Sequence, residues 1–211
     1  MNPMLYISLA YLIAYVIGGI PTSVLAGKLN GIDITKHGSG NAGATNALRV
    51  LGTKIGVTVM IIDAVKGVIA ILVGRLILQA FNIDSTQIYD ITLGVTAILG
   101  HVFSIYLKFK GGKGVATAAG VYALLSPIAF AIALMAFIII VAISRYVSLG
   151  SICAALVLFV SQLVINFINN FEQLPILLLT FFVALFIILK HKQNIIRLLN
   201  GNENKLVFKP K

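Results

Sequence analysis

Charge is the scarcest property of this sequence. Only 10% of its 211 residues are charged, against roughly 25% in an ordinary soluble domain. That scarcity argues against a soluble globular fold. Disorder is excluded too, because it requires low hydropathy and high charge, whereas the hydrophobic fraction is 59% and the mean hydropathy +1.03. Acidic residues are few, 6 against 16 Lys and Arg, for a net charge of +10. One cysteine rules out an intrachain disulfide framework and a cysteine-based metal site. No Lys or Arg precedes Lys28, so the basic start of a cleavable signal peptide is missing. A chain this basic and this apolar points to a membrane protein facing anionic lipid or an anionic substrate, and away from nucleic acid.

A helix crossing the hydrocarbon core needs about 20 apolar residues. The runs 4–27, 53–80, 88–107, 150–170 and 174–190 qualify. The run 114–143 is too long for one ordinary span and short for two. Ser126-Pro127 interrupts it, and Pro does not fit a helix interior, so it reads as helices 114–126 and 127–143. The expectation is an all-α integral membrane protein of seven transmembrane helices. Its N-terminus lies outside, its C-terminus is cytoplasmic, and residues 1–211 form one membrane-embedded domain. The basic residues set this orientation. Every Lys and Arg except Lys66 and Arg75 falls in or beside the inner segments 28–52, 108–113, 144–149 and 191–211, Lys209 and Lys211 included. The outer loops 81–87 and 171–173 contain neither residue type. Arg75 sits near the outer end of its span, from where its head can snorkel to the interface. Tyr6, Tyr89, Tyr106 and Tyr146 fall near span ends and are expected as interfacial anchors. Cys153 is expected to be buried in the sixth span.

The polar residues gather on the inner side. The first cluster runs from Lys36 to Arg49. It combines Gly38, Gly40 and Gly43 with Ser39, Asn41, Thr45, Asn46 and Arg49. Glycines let backbone amides approach an anion, small polar side chains add donors, and Arg49 suits a phosphate. A plain glycine turn capped by Thr45 or Asn46 is the simpler reading, but this density of small polar residues beside a membrane favours a binding site. Residues 38–43 also match G-x-G-x-x-G, with Asp63 twenty residues beyond Gly43. The dinucleotide fingerprint requires a strand before it and a βαβ unit around it. Here the flanks are membrane helices, so that reading is rejected.

The second cluster holds Gly100, His101, Lys108 and Lys110, then Gly111-Gly112-Lys113-Gly114, with Thr117 in the apolar helix that follows. Glycines at a helix start favour anions through free amides and the helix dipole. On this reading a methyl group at Gly112 would meet the anion. Lys108 and Lys110 are sufficiently explained as topology determinants. The third cluster, Ser144 and Arg145, is a short inner loop that serves either as a topology anchor or as a phosphate contact. In the fourth, His191, Asn194 and Arg197 share a helical face. Only Asp33 and Glu203 are acidic on this side, too few for a carboxylate-rich metal site, so neither metal nor cofactor is expected. Asp63 and Lys66 lie deep in the second span at i, i+3. They are expected to form a structural ion pair, or a polar contact to the fourth or fifth span, too far in to touch a soluble substrate.

Three motifs together resemble the PlsY family of bacterial acyl-phosphate:glycerol-3-phosphate acyltransferases. They are Gly38-Ser-Gly-Asn-Ala-Gly-Ala-Thr-Asn46 with Arg49, Gly100-His-Val-Phe with Gly111-Gly-Lys-Gly-Val-Ala-Thr117, and His191-x-x-Asn194 with Glu203. The resemblance implies an enzyme of the bacterial cytoplasmic membrane with its active site facing the cytoplasm. It implies transfer of a fatty acyl group from acyl phosphate to the 1-hydroxyl of glycerol 3-phosphate, giving lysophosphatidic acid and phosphate, the first step of phospholipid biosynthesis. By the same resemblance Ser39, Arg49, His191 and Asn194 are catalytic, Gly111 to Gly114 form the glycerol-phosphate loop, and Glu203 is structural. Gly38, Gly40, Asn41, Gly43, Asn46, His101, Lys113, Thr117, Ser144 and Arg145 complete the candidate substrate contacts. The partners implied are the two substrates, membrane lipid and the enzyme that makes acyl phosphate. One departure is Ser104, where the family pattern has Pro.

The chemistry fits these residues. Acyl phosphate is already activated, so the enzyme needs mainly to position the hydroxyl and stabilise developing charge. Either His191 or a substrate phosphate oxygen takes the hydroxyl proton. Ser39 lacks an evident His-Asp partner pattern and reads as a hydrogen-bond donor. Two other classes share some features. A transporter would need a polar path to the outside, which this chain scarcely shows. A lipid-binding scaffold would not need the Gly-Ser-Gly-Asn cluster.

Overall fold

The structure, a computed structural model, describes residues 2–206. Lys209 and Lys211 lie outside the described residues. Ten α-helices and two short 3₁₀ turns account for the regular structure, and no strand occurs among the described residues. The chain divides into two compact units, Met1–Leu124 and Leu125–Lys211.

In the first unit, α1 (Pro3–Gly19) starts at Asn2, whose side chain accepts from the Met4 amide at 3.0 Å, with Pro3 at the first helical position. The run 4–27 does not form one helix. It breaks at Ile20-Pro21, and α2 (Thr22–Leu29) continues at a 42° bend. Pro21 supplies the physical reason, since it has no amide to donate. Three polar side chains hold the break. Ser104 Oγ donates to Gly19 O at 2.6 Å, Lys66 Nζ to Ile20 O at 2.9 Å, and Thr22 Oγ1 to Asp63 Oδ1 at 2.9 Å. Ser104 thus makes a bond that a proline there could not.

α3 (Ala44–Leu51) leads through Gly52 into α4 (Thr53–Ala80). At 28 residues α4 is about 42 Å long, more than the roughly 30 Å hydrocarbon core. α5 (Gln87–Val102) packs on α1 and α4. A Cβ at Gly18 would collide with the Ala97 backbone, and one at Gly100 with Tyr15 O, so these glycines are what lets α1 and α5 touch. Arg75 on α4 does not only snorkel: Nε and Nη2 grip Asp90 of α5 at 2.7 and 2.8 Å. Tyr6 is buried and stacked on Phe81. α6 (Val115–Leu125) has 11 residues, about 16 Å, too short to cross the core alone.

In the second unit, α7 (Pro127–Ser144) starts directly after Ser126, the break expected at Ser126-Pro127. α8 (Val147–Ile168) packs against α7 and against α9 (Leu174–Lys190). Cys153 is half-buried on α8, not fully enclosed. His191 joins α9 to α10 (Lys192–Leu199) at a 57° bend. α7 leaves Ile128, Ile132, Met135, Ile139 and Ile143 exposed, an apolar surface suited to lipid. Among the described residues, four helices are long and apolar enough to cross a membrane, or six spans if each bent pair counts as one.

Candidate active site

The Lys36–Arg49 cluster is a loop folded around one buried amide. Asn46 is 1% exposed. Its Oδ1 accepts from the Ser39 amide at 2.9 Å, and its Nδ2 donates to Ile34 O and His37 O at 3.0 and 3.1 Å. These three bonds account for the loop's course across residues 34–39. Neither Thr45 nor Asn46 caps α3; Gly43 does, and both residues lie within the helix. Gly38 has φ +62°, and a Cβ there would press on Asn46 Oδ1, which explains the glycine. Beneath the loop, Val24, Ile34, Ala42, Ala47 and Val59 form a buried cluster that fixes it to α2 and α4.

Ser39 is therefore held by its backbone while its side chain stays exposed. No described residue hydrogen bonds to its hydroxyl. Arg49 sits half-buried on α3, one turn beyond Asn46. Asn41 and Gly43 are half-buried, Gly40 is exposed, and a Cβ at Gly43 would lie 3.0 Å from Asn41 Oδ1. Asp33 anchors the loop's start, accepting from the Thr35 amide and hydroxyl at 3.1 and 2.6 Å. Those bonds hold its carboxyl below the ordinary carboxylate range.

The glycine loop folds back on the end of α5. The Gly111 amide donates to Val102 O at 3.0 Å and the Gly112 amide to His101 O at 3.2 Å. Two amides expected to face an anion are thus spent inside the protein. The first-turn amides of α6 have no carbonyl within the helix to pair with. Gly112 is buried, and a Cβ there would strike the His101 ring rather than an anion. Lys113 is half-buried, and Gly114, at φ +85°, admits the chain into α6. Thr117 is fully buried, its carbonyl and methyl against Gly67 of α4.

Asp63 and Lys66 form the expected ion pair at 2.7 Å. Their further partners differ from the expectation. They lie on the α1–α2 break and on α5, not on the fourth or fifth span, and Asp63 Oδ1 stands 3.8 Å from His101 Nδ1. The pair therefore reaches the second polar cluster.

In the second unit, Glu203 is the hub. It is 6% exposed and accepts from Ser148 Oγ (3.1 Å) and Asn194 Nδ2 (2.9 Å) at Oε1, and from Arg197 Nε (2.7 Å) at Oε2. Burial alone would raise its pKa, but the hydrogen bonds from Arg197, Asn194 and Ser148 outweigh it, and the net direction is downward. His191 is 3% exposed, with Nδ1 2.7 Å from Ile187 O. A carbonyl only accepts, so Nδ1 carries a proton and donates it to Ile187 O. Ser144 Oγ donates to Ile140 O and accepts the Tyr146 amide, capping the turn. Arg145 ends α7 in the left-handed region, and its carbonyl receives the Leu206 amide at 2.7 Å.

The structure thus brings Ser39 and Asn46 together, His101 with Gly112 and Asp63, and Asn194 with Glu203. Sequence reading placed Ser148 in the third polar cluster but missed its bond to Glu203, and it missed the Asp63–His101 contact. The only signal for the latter was a charge pair inside an apolar span.

Residues 8–201 match the family model described as glycerol-3-phosphate acyltransferase. Similar proteins include a glycerol-3-phosphate acyltransferase of Trichlorobacter lovleyi, 45% identical over 91% of this chain and 93% of its own. Glycerol-3-phosphate acyltransferase 2 of Bacillus anthracis is 42% identical, covering 94% of this chain and 98% of its own. A crystal structure of PlsY (YgiH), an integral membrane glycerol 3-phosphate acyltransferase in its glycerol 3-phosphate form, aligns with a TM-score of 0.81 at 36% identity, covering 95% of this chain and 96% of that one. Its lysophosphatidic acid form aligns at 0.78.

Proposed function

The chain belongs to the glycerol-3-phosphate acyltransferase family, and from that premise we propose that it transfers a fatty acyl group from acyl phosphate to the 1-hydroxyl of glycerol 3-phosphate. It is a multi-pass membrane acyltransferase. The likeness to the glycerol 3-phosphate form of a solved family member, over nearly the whole of both chains, is the observation that carries the reading. In the reaction the hydroxyl oxygen bonds to the acyl carbon, the bond from that carbon to the phosphate oxygen breaks, and phosphate leaves. Lysophosphatidic acid and inorganic phosphate are the products. The enzyme acts in phospholipid biosynthesis.

The roles follow from chemistry. Arg49, Lys113, Arg145 and the α6 first-turn amides neutralise phosphate. Ser39 donates from its exposed hydroxyl to a substrate oxygen, with Gly38, Gly40, Asn41 and Gly43 keeping the loop close. Asn46 holds Ser39 in place. His191, an imidazole at the motif position, is proposed to accept the hydroxyl proton; a phosphate oxygen of the substrate is the alternative acceptor. Asn194, gripped by Glu203, orients substrate. The residues carry positive charge where two phosphates must be held, so the mechanism invokes no cofactor. We place the enzyme in the bacterial cytoplasmic membrane as seven spans, α6 and α7 being the pair interrupted at Ser126-Pro127. The site faces the cytoplasm, as the distribution of basic residues requires.

The test is turnover by purified protein in detergent. Acyl phosphate with labelled glycerol 3-phosphate should yield labelled lysophosphatidic acid and an equal amount of phosphate. Turnover with an acyl thioester and none with acyl phosphate would overturn the choice of donor.

A further inference from the structure

We infer that Asp63 is a positioning residue for the glycine loop: it orients the ring of His101, and that ring is the surface on which Gly112 closes. The inference rests on the acyltransferase reading for its kinetic consequences only.

Three contacts carry it. Asp63 is 1% exposed and shares Oδ1 among Lys66 Nζ at 2.7 Å, Thr22 Oγ1 at 2.9 Å and His101 Nδ1 at 3.8 Å. The last is an electrostatic contact, too long for a hydrogen bond. The other ring nitrogen, Nε2, lies where a Cβ of residue 112 would be, so the imidazole spans the gap between Asp63 and Gly112. The backbone closes the same unit, since the Gly111 and Gly112 amides bond to the carbonyls of Val102 and His101.

A charge pair deep in an apolar helix is costly unless something uses it. Packing alone would be served by apolar residues at both positions. What the pair adds is a fixed negative charge facing one nitrogen of a buried imidazole, which selects the tautomer with the proton on Nδ1 and the ring plane that goes with it. Nε2 then turns an acceptor toward Gly112. Lys66 pairs with Asp63 and, through Ile20 O, ties the same carboxylate to the α1–α2 break. The glycine loop, the break and α4 are thereby set by one carboxylate.

The experiment joins spectroscopy to kinetics. In wild-type protein labelled with ¹⁵N-histidine, His101 should be the Nδ1–H tautomer; the Nε2–H tautomer overturns the proposal. Asp63→Asn should shift the His101 ring signals and leave those of His37 and His191 in place. It should raise KM for glycerol 3-phosphate about fivefold, with kcat and the KM for acyl phosphate within about twofold of wild type. Asp63→Glu should recover part of the loss. Where Asp63→Asn does not fold, Asp63→Asn with Lys66→Gln removes both charges together and is read the same way. Unchanged His101 signals, or a uniform loss of active protein with KM unaltered, assign Asp63 to stability alone and overturn the proposal. Wild-type protein without acyltransferase turnover would refute the functional reading and leave the tautomer result standing.

Discussion

The side-chain amide of Asn194 donates from Nδ2 to Oε1 of Glu203 at 2.9 Å. The bond fixes which end of the Asn194 amide is which. A carboxylate accepts, so Nδ2 faces Glu203 and Oδ1 faces away. Glu203 in turn belongs to the segment after α10 and holds α8 and α10 through Ser148, Asn194 and Arg197.

Replacing Glu203 by Ala should therefore destabilise the protein by about 2–4 kcal/mol, the cost of leaving several buried partners without their acceptor. Glu203→Gln should cost less, because one oxygen remains. The carboxyl's folded pKa is below its ordinary value of 4.5. Its contribution is full above pH 4.5 and is lost as pH falls through the lower folded value. Melting temperatures of wild type and Glu203→Gln in detergent should thus converge on acidification below pH 4.5. A gap that stays constant down to pH 3 would show that the charge plays no part.

Asn46→Ala should free the loop over residues 34–39. Three hydrogen bonds are lost, one of them holding Ser39, at a cost of about 2–3 kcal/mol. Asn46→Asp keeps an acceptor for Ser39 and loses both donated bonds. Its activity should lie between wild type and Asn46→Ala. Hydrogen exchange at the Ser39 amide should rise most in Asn46→Ala. Unaltered exchange there would mean the loop is held by its apolar floor instead.

Much of the fold was legible because membrane helices are written as long apolar runs. The break at Ser126-Pro127 was visible since Pro stands between two such runs. The break at Ile20-Pro21 was not, since apolar residues continue on both sides and the polar groups that stabilise it, Ser104, Lys66 and the Asp63 partner of Thr22, are contributed from distant positions. The small-residue clusters around Ser39 and Gly112 were legible as clusters. Their internal wiring was not. Asn46 read as one more donor for an anion, whereas its three bonds run to its own loop. Gly112 read as an open amide, whereas its nearest neighbour is a ring eleven residues earlier in the chain. Such contacts depend on how a loop folds back, which spacing along a helix does not encode.

Gly112→Ala consequently has a different expected outcome from that of a methyl group blocking an anion. The new Cβ collides with His101 Nε2 and lies 3.2 Å from Ala42 O, so the ring must move or the loop must open. Stability should fall by about 1–3 kcal/mol, the range for overpacking, and KM for glycerol 3-phosphate should rise. Removing the ring should relieve the clash. The double variant Gly112→Ala with His101→Ala should be less unstable than the two single losses combined. Strict additivity in melting experiments would place the strain elsewhere.

Orientation is tested with single cysteines in a Cys153→Ala background. Ser85 is a poor outer probe, because its hydroxyl is buried. Asp84 is exposed in the same turn, and Asn202 is exposed beside the Glu203 hub. Asp84→Cys should react with an impermeant thiol reagent in intact cells whose surface is accessible to it. Asn202→Cys should react only after lysis. The opposite pattern would invert the topology.

Ser39 decides between direct transfer and an acyl-enzyme. A serine nucleophile needs a base within hydrogen-bond reach. The Ser39 hydroxyl has no such partner among the described residues, and the nearest histidine in sequence, His37, has Nδ1 engaged with Asp33 O at 2.9 Å. Its backbone is clamped by Asn46 and its side chain is exposed, the arrangement of a positioned donor. Ser39→Ala should then lower kcat about 10²–10³-fold, the range for removing one donor to developing charge, with the protein folded. Ser39→Thr, which keeps a hydroxyl at an exposed position, should retain more activity. Incubating wild-type enzyme with acyl phosphate and no glycerol 3-phosphate should leave its mass unchanged. An acyl adduct on Ser39 under those conditions would make this serine the nucleophile and replace one transfer step with two.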